Sequence, residues 1–309
     1  MTSFLLSRAA QSIVSFWGAI SIVFVIMHLS GDPTLLLVPE GATKADIDQL
    51  RHLLGFDRPL YIQYADYLYQ LLRFDFGASL IQRVPVMDII WSRLPYTLWL
   101  GGCALAIAFL IGLPVGVLTG LFRGKLIDKI FMPIVLVGQS MPTFWSGILL
   151  ILLFAVELRW LPSSGAESPV SVIMPAIALG ALSMATYARI ARTGVIEELS
   201  KEYVRAVRAK GVSGYRVVLG HVLRNASIPI ITVSALEIAN LLAGAVIVET
   251  VFAWPGLGQL AVQSIASRDF LVVQGLVVLG AFTHIGLNFV ADLLYGIVDP
   301  RISMARRGA

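Results

Sequence analysis

The chain has 309 residues, of which 57% are apolar and only 14% charged, and its mean hydropathy is +0.83. Soluble domains carry about 25% charged residues, so this composition excludes an ordinary water-soluble protein and points to lipid as the solvent. The single cysteine, Cys103, excludes an internal disulfide and a cysteine metal site. The net charge of +4 is distributed as a membrane topology signal, which argues against nucleic acid as a partner.

The first predicted element is a membrane span. Arg8 precedes an apolar run, Ala9–Leu29, long enough to cross a bilayer. Ser30, Gly31, Asp32 and Pro33 after it lack the small-x-small pattern of a cleavage site, so residues 1–29 read as a retained N-terminal helix. Residues 30–95 form an outer loop. In it Thr43 and Asp46 have the form of a capping box, and Ile47, Leu50, Leu53 and Leu54 follow at helical spacing. Pro59 suits the first turn of a second helix, whose apolar face would be Leu60, Tyr61, Tyr64, Leu68, Leu71 and Leu72. Two short helices are expected, within Thr43–Leu54 and Pro59–Arg73. They either cap or dock something, or lie on the lipid interface.

Residues 96–298 hold five more apolar segments: Tyr96–Leu121, Ile130–Val156, Val172–Tyr187, Ile228–Glu249 and Val272–Ile297. The total is six spans. A basic loop, residues 189–227, separates the fourth from the fifth. A helix is expected there over about Glu197–Lys210, with Leu199, Tyr203, Ala206 and Val207 on one face and Lys201, Arg205 and Arg208 on another. Glu197 and Lys201 stand as an i, i+4 pair in the favourable order. Gly211 occupies the place of a C-terminal cap, and Ser213 could cap a second helix carrying Val218, Leu219 and Val222. The element either meets a partner protein or lies on anionic lipid. Trp254-Pro255-Gly256-Leu257-Gly258 cannot continue a helix. It predicts a tight outer turn, either packed on protein through Val251, Phe252 and Leu257 or serving as a plain connector. Residues 299–309 form a short tail.

Charge sets the orientation. With both termini in the cytoplasm, 15 of the 23 basic residues fall on inner segments and 8 on outer ones. Most of the outer ones sit in one long loop, where charge counts for less.

Several stretches resemble one family in the same order along the chain. Glu202-Tyr-Val-Arg-Ala-Val-Arg-Ala-Lys-Gly211, with His221-Val-Leu-Arg-Asn-Ala226 and Pro229, resembles the cytoplasmic signature loop of ATP-binding-cassette (ABC) importer permeases. Gly31-Asp32-Pro33, Asp75-Phe-Gly-Ala-Ser79, Glu249-Thr-Val-Phe-Ala-Trp-Pro-Gly-Leu-Gly258 and Asp299-Pro300-Arg301 narrow the resemblance to the first permease subunit of the dipeptide, oligopeptide and nickel class, which includes glutathione importers. The general signature begins Glu-Ala-Ala, six residues before its glycine. This chain has Arg205-Ala206-Val207 there, and Leu223-Arg224 where the signature has Leu-Pro. Glu202 is near but out of register, so the residue replacing the signature glutamate is left open.

The resemblance implies an all-α integral membrane protein of the inner membrane. It would have six transmembrane helices, a helical outer loop over the pore mouth and a cytoplasmic coupling helix. It implies half of a pore, completed by a second, homologous permease subunit. Two ATPase subunits would grip the coupling loop at Glu202, Arg205, Ala206, Arg208 and Gly211. A solute-binding protein would deliver cargo outside, where Glu249, Trp254, Pro255, Gly256 and Gly258 form the outer turn. Dipeptides, longer peptides, glutathione, nickel chelates and sugars stay open as cargo, with peptide or glutathione favoured by family frequency.

No catalytic residue, cofactor or metal site is expected. A P-loop needs G-x-x-x-x-G-K-[ST], and around Gly124-Lys125 the chain has Thr119 and Leu126 at the first glycine and hydroxyl positions. His28, His52, His221 and His284 show no metal-ligand spacing. An ion-coupled carrier would need ionisable groups at mid-membrane. Glu237 and Asp292, with Asn240 and Asn288, are the candidates, and a helix–helix hydrogen bond explains them more simply. Ser146 and His284 meet only the crude requirement for an intramembrane protease dyad, and serine is common packing glue in such helices.

Overall fold

The computed structural model describes residues 2–29, 43–79 and 81–298. Among them the regular structure is helical, apart from an isolated antiparallel bridge between Ala78 and Pro85. Helix α1 is Thr2–Leu29, α2 Lys44–Leu54 and α3 Leu60–Leu72. Helix α4 runs Val86–Leu121 through a π turn at Ala108–Gly112. Then come α5 (Leu126–Ser140), α6 (Thr143–Glu157), α7 (Ile173–Ser200) and α8 (Glu202–Ala209). Helix α9 (Gly214–Val217) passes through a π turn into α10 (Leu223–Val251), and α11 (Leu257–Ala266) and α12 (Phe270–Val298) close the fold. The motifs at Gly31-Asp32-Pro33 and Asp299-Pro300-Arg301 and the tail 299–309 lie outside the described residues. So do the side chains of His28, Asp46, Leu50, Leu53, Leu54 and Asp292.

Four helical stretches are long and apolar enough to cross a membrane among the described residues: Ser7–Ile26, Val86–Leu121, Pro169–Ser200 and Phe270–Val290. The pair α5–α6 adds a fifth if it counts as one span, bent by 108°. The bend has a local cause. Pro142, extended at ψ 137, caps α6, and Met141 before it is extended too. The residue before a proline is pushed out of the helical region. The remaining expected span, Ile228–Glu249, falls inside the 29-residue α10.

Helix α7 is the centre of the molecule, packed by α4, α5, α6 and α10. Its contact with α4 is backbone-close. A Cβ on Gly112 would stand 2.6 Å from the Met184 carbonyl oxygen, one on Gly116 would collide with Ala188, and one on Gly120 would stand 2.9 Å from Val195. These glycines recur every four residues, so they form one stripe along α4. Without water to drive helices together, such small-residue seams let dispersion and close packing hold a membrane bundle.

Helix α1 lies on α12. Helix α3 is docked there too, with Tyr67 packed among Ile20 and Val278, and the Tyr64 hydroxyl 2.6 Å from Ser21 Oγ. The buried stripe is Tyr64, Tyr67, Leu68 and Leu71. This corrects the expected face: Leu60, Tyr61 and Leu72 are 61%, 74% and 82% exposed. They fall outside the 3.6-residue stripe that meets α1.

Candidate functional site

The basic segment between α7 and α10 folds differently from its sequence reading in two respects. Helix α7 does not stop near Tyr187 but continues to Ser200. No helix then runs unbroken over Glu197–Lys210: Lys201 is extended, with ψ 149, and α8 starts afresh at Glu202. The break has a polar cause. Lys201 turns back to ion-pair with Glu198 rather than with Glu197. The Tyr203 hydroxyl donates to Glu198 Oε2 at 2.5 Å, and Asn225 Nδ2 donates to the Tyr203 oxygen at 3.0 Å. Glu198 is thus a buried anchor for the corner. Its hydrogen bond holds the Lys201 ammonium above its ordinary pKa. Burial, then the Glu198 carboxylate, pushes the Tyr203 phenol up, so it stays a donor.

Beneath α8 is an apolar cluster of Val195, Val204, Val217, Val222 and Ala226, with Leu199, Tyr203 and Val207 against it. The apolar face of α8 is therefore used inside this chain. Ala206, expected on that face, is exposed instead. Glu202, Arg205, Ala206, Arg208 and Gly211 all lie on the outer surface of the element, beside Tyr215, which is 74% exposed. Gly211 ends α8 with φ +80, and its amide donates to the Arg208 carbonyl at 3.0 Å. That left-handed conformation suits glycine, and a side chain there meets open space. Ser213 stands at the N-cap of α9 but makes no side-chain capping bond.

On the flank of α7, Arg192 holds Asp128 of α5 with two parallel bonds, Nε to Oδ1 at 2.8 Å and Nη2 to Oδ2 at 2.9 Å. The Gly124 amide donates to the same carboxylate at 2.9 Å. The amide at the P-loop near miss is thus already taken by a carboxylate of the chain itself. Lys125 lies over the Phe122 ring.

The turn after α10 is a built site. Helix α11 begins at Leu257, and its first amides need acceptors. The Leu257 amide donates to Thr97 Oγ1 at 2.8 Å, and the Gly258 and Gln259 amides donate to Glu249 Oε2 at 2.6 and 3.1 Å. Thr97 in turn donates to Glu249 Oε1 at 2.7 Å. Glu249 is completely buried, so a carboxylate from α10 and a hydroxyl from α4 together cap α11. Cβ atoms on Gly256 and Gly258 would run into Glu249 and Val246. Trp254 is buried and donates from Nε1 to the Tyr96 carbonyl at 3.0 Å. The turn packs on protein; it is no plain connector. At the other end of α11, Ser79 of the Asp75–Ser79 motif donates to Asp269.

Thr97, Glu198 and Asp128 had no role legible in the sequence, and Asn225 stood out only as part of the His221–Ala226 stretch. Thr97 and Glu249 are 152 positions apart, and nothing local announces their pairing. Glu237 of α10 accepts a 2.5 Å hydrogen bond from Ser183 of α7, the helix–helix bond that was the simpler of the two roles open to it. Ser146 gives its proton to the Thr143 carbonyl of its own helix, and His284 is exposed on α12. Neither is arranged as a nucleophile–base pair.

Comparison with known proteins fits this architecture. Residues 112–304 match the family described as binding-protein-dependent transport system inner membrane component, and residues 1–101 match its N-terminal region. The glutathione transport system permease protein GsiC of Escherichia coli (strain K12) is 40% identical over 98% of this chain and 99% of its own length. The dipeptide transport system permease protein DppB of the same strain is 37% identical, with the same coverage. Among solved structures, an inward-facing MetNI methionine ABC transporter aligns with a TM-score of 0.58 at 21% identity, covering 69% of this chain and 97% of that chain. An amino acid ABC transporter gives 0.55 at 21% identity over 67% and 92%; at this identity both likenesses speak for the fold. The chain belongs to the binding-protein-dependent transport system inner membrane component family, and is a permease subunit of an ABC importer.

Proposed function

We propose that this permease subunit crosses the inner membrane six times with both termini in the cytoplasm. It forms half of a pore with a homologous permease subunit and imports peptides or glutathione. A solute-binding protein hands over the cargo outside. Two ATPase subunits hydrolyse ATP and drive the pore through the loop that carries α8. The cargo reading rests on the relatives named for glutathione and dipeptide transport.

The observation that carries the coupling role is the split personality of α8. Val204 and Val207 weld it to the end of α7, at Val195 and Leu199, and to the start of α10, at Leu223 and Ala226, while Glu202, Arg205, Ala206 and Arg208 face outward. A push on that face reaches two long helices at once. The helix ends on left-handed Gly211, where a β-branched side chain costs on the order of 1 kcal/mol or more. That is small against the stability of the bundle and large enough to misplace α9. Gly211→Val should insert and fold, yet lose ATPase co-purification or solute-stimulated ATP hydrolysis in proteoliposomes. Wild-type assembly with wild-type stimulation would refute the role. If the loop merely lies on anionic lipid, charge reversal at Lys201, Arg205 and Arg208 will matter and Gly211→Val will not.

A further inference from the structure

Helix α7 is covered on nearly every side, yet one stripe is open. Arg189, Thr193, Glu197 and Ser200 are all exposed at three- and four-residue spacing, so they share one face. A cleft of about 280 Å³ lies along this face, lined by Arg189, Ile190, Thr193, Gly194, Glu197 and Pro229. Its opposite wall is therefore the start of α10, which approaches closely at Gly194 and Ala226. Arg189 is steadied by donating to Gln139 of α5. A guanidinium has five N–H groups, so one such bond leaves most of them for another acceptor. Lys201, the basic group next along from Glu197, binds Glu198 instead. The cleft thus presents a cation at one end and a carboxylate at the other, with a hydroxyl between them.

Arg189 and Glu197 lie in the last three turns of α7, next to the α8 corner, where charged groups can meet water and solute. The eight-residue separation of Arg189 and Glu197 corresponds to about 12 Å along the helix. An extended tripeptide spans about 10–11 Å. We infer that this cleft is a solute-positioning site at the inner end of the pore, with Arg189 taking the carboxylate end and Glu197 the ammonium end of a short zwitterionic peptide. This deepens the peptide-import reading and rests on it. It assigns Arg189 and Glu197 as specificity residues within the transport path.

The test uses the assembled transporter in proteoliposomes, with Cys103→Ala removing the native thiol and Thr193→Cys placing a reporter in the cleft. A water-soluble methanethiosulfonate reagent should modify this thiol. Trialanine at about ten times its half-protecting concentration should slow the modification about tenfold. N-acetyl-trialanine amide, of similar length and uncharged, should not slow it. Arg189→Gln or Glu197→Gln, added singly, should abolish the protection while the thiol still reacts. An unreactive thiol in the assembled complex would mean that the partner permease covers this face, and would overturn the site. Equal protection by the capped and uncapped peptides would overturn it as well. Uptake of labelled trialanine and glutathione by the unaltered complex is measured alongside. Uptake without charge-dependent protection overturns the Arg189–Glu197 site alone; absence of uptake of both overturns the cargo reading and the site with it.

Discussion

Glu249 shows how a single side chain organises a membrane protein's end. A buried carboxylate is costly unless donors surround it, and here a hydroxyl and two helix-terminal amides do so. Glu249→Gln keeps the shape but turns one acceptor into a donor facing donors. Losing hydrogen bonds to a charged acceptor costs about 1.5–3 kcal/mol. The variant should therefore melt several degrees lower in detergent, as followed by scanning fluorimetry; an unchanged melting temperature would show that the carboxylate is not the anchor. Gly258→Ala tests the same turn by bulk, since its Cβ would run into Val246. Overpacking typically costs about 1–3 kcal/mol, so a lower melting temperature is expected, and an unchanged one would mean the turn yields easily. At this scale the sequence was half legible. Pro255, Gly256 and Gly258 announced a turn because backbone geometry is local. Thr97 did not announce itself, because its role exists only once α4 and α10 meet.

Among elements, the seam between α4 and α7 sets how closely the bundle packs. Gly116→Leu inserts a side chain where even a methyl collides with the Ala188 backbone. The yield of folded, monodisperse protein in size-exclusion chromatography should fall sharply, and an unaffected yield would mean the helices separate at little cost. The tether between α5 and α7 is separable. Asp128→Asn and Arg192→Gln should each lower stability, and the double variant should cost less than the sum of the two, because they share one interaction. Strict additivity in a thermal-shift cycle would argue that the bonded pair contributes nothing. Long apolar segments were readable from composition, since lipid selects for them. The Gly112-Gly116-Gly120 spacing is likewise a local signal, of a close helix–helix seam. The continuation of α7 to Ser200 was not legible, because Arg189, Arg192 and Glu197 look like loop residues until Arg192 is seen to have Asp128. Nor was the break at Lys201, which depends on a carboxylate, a phenol and an amide converging from two helices.

At the scale of the whole molecule, topology is the property most open to direct measurement. The orientation proposed from positive-inside charge would put the α8–α9 corner in the cytoplasm and α11 outside. On a Cys103→Ala background, Tyr215→Cys should resist a membrane-impermeant maleimide in intact cells and react once the membrane is permeabilised. Ser267→Cys, exposed after α11, should react without permeabilisation. The reverse pattern would invert the orientation. The inward packing of α8 also has a consequence for how such a subunit can diverge. Its folding is secured by Val204 and Val207, while Glu202, Arg205, Ala206 and Arg208 are exposed. Given the coupling role proposed for that surface, its residues are free to be rewritten together without disturbing the interior. A departure from the common Glu-Ala-Ala form then becomes a change of dialect between a permease and its own motor, and related importers sharing one cell could stay insulated from one another by a handful of surface substitutions.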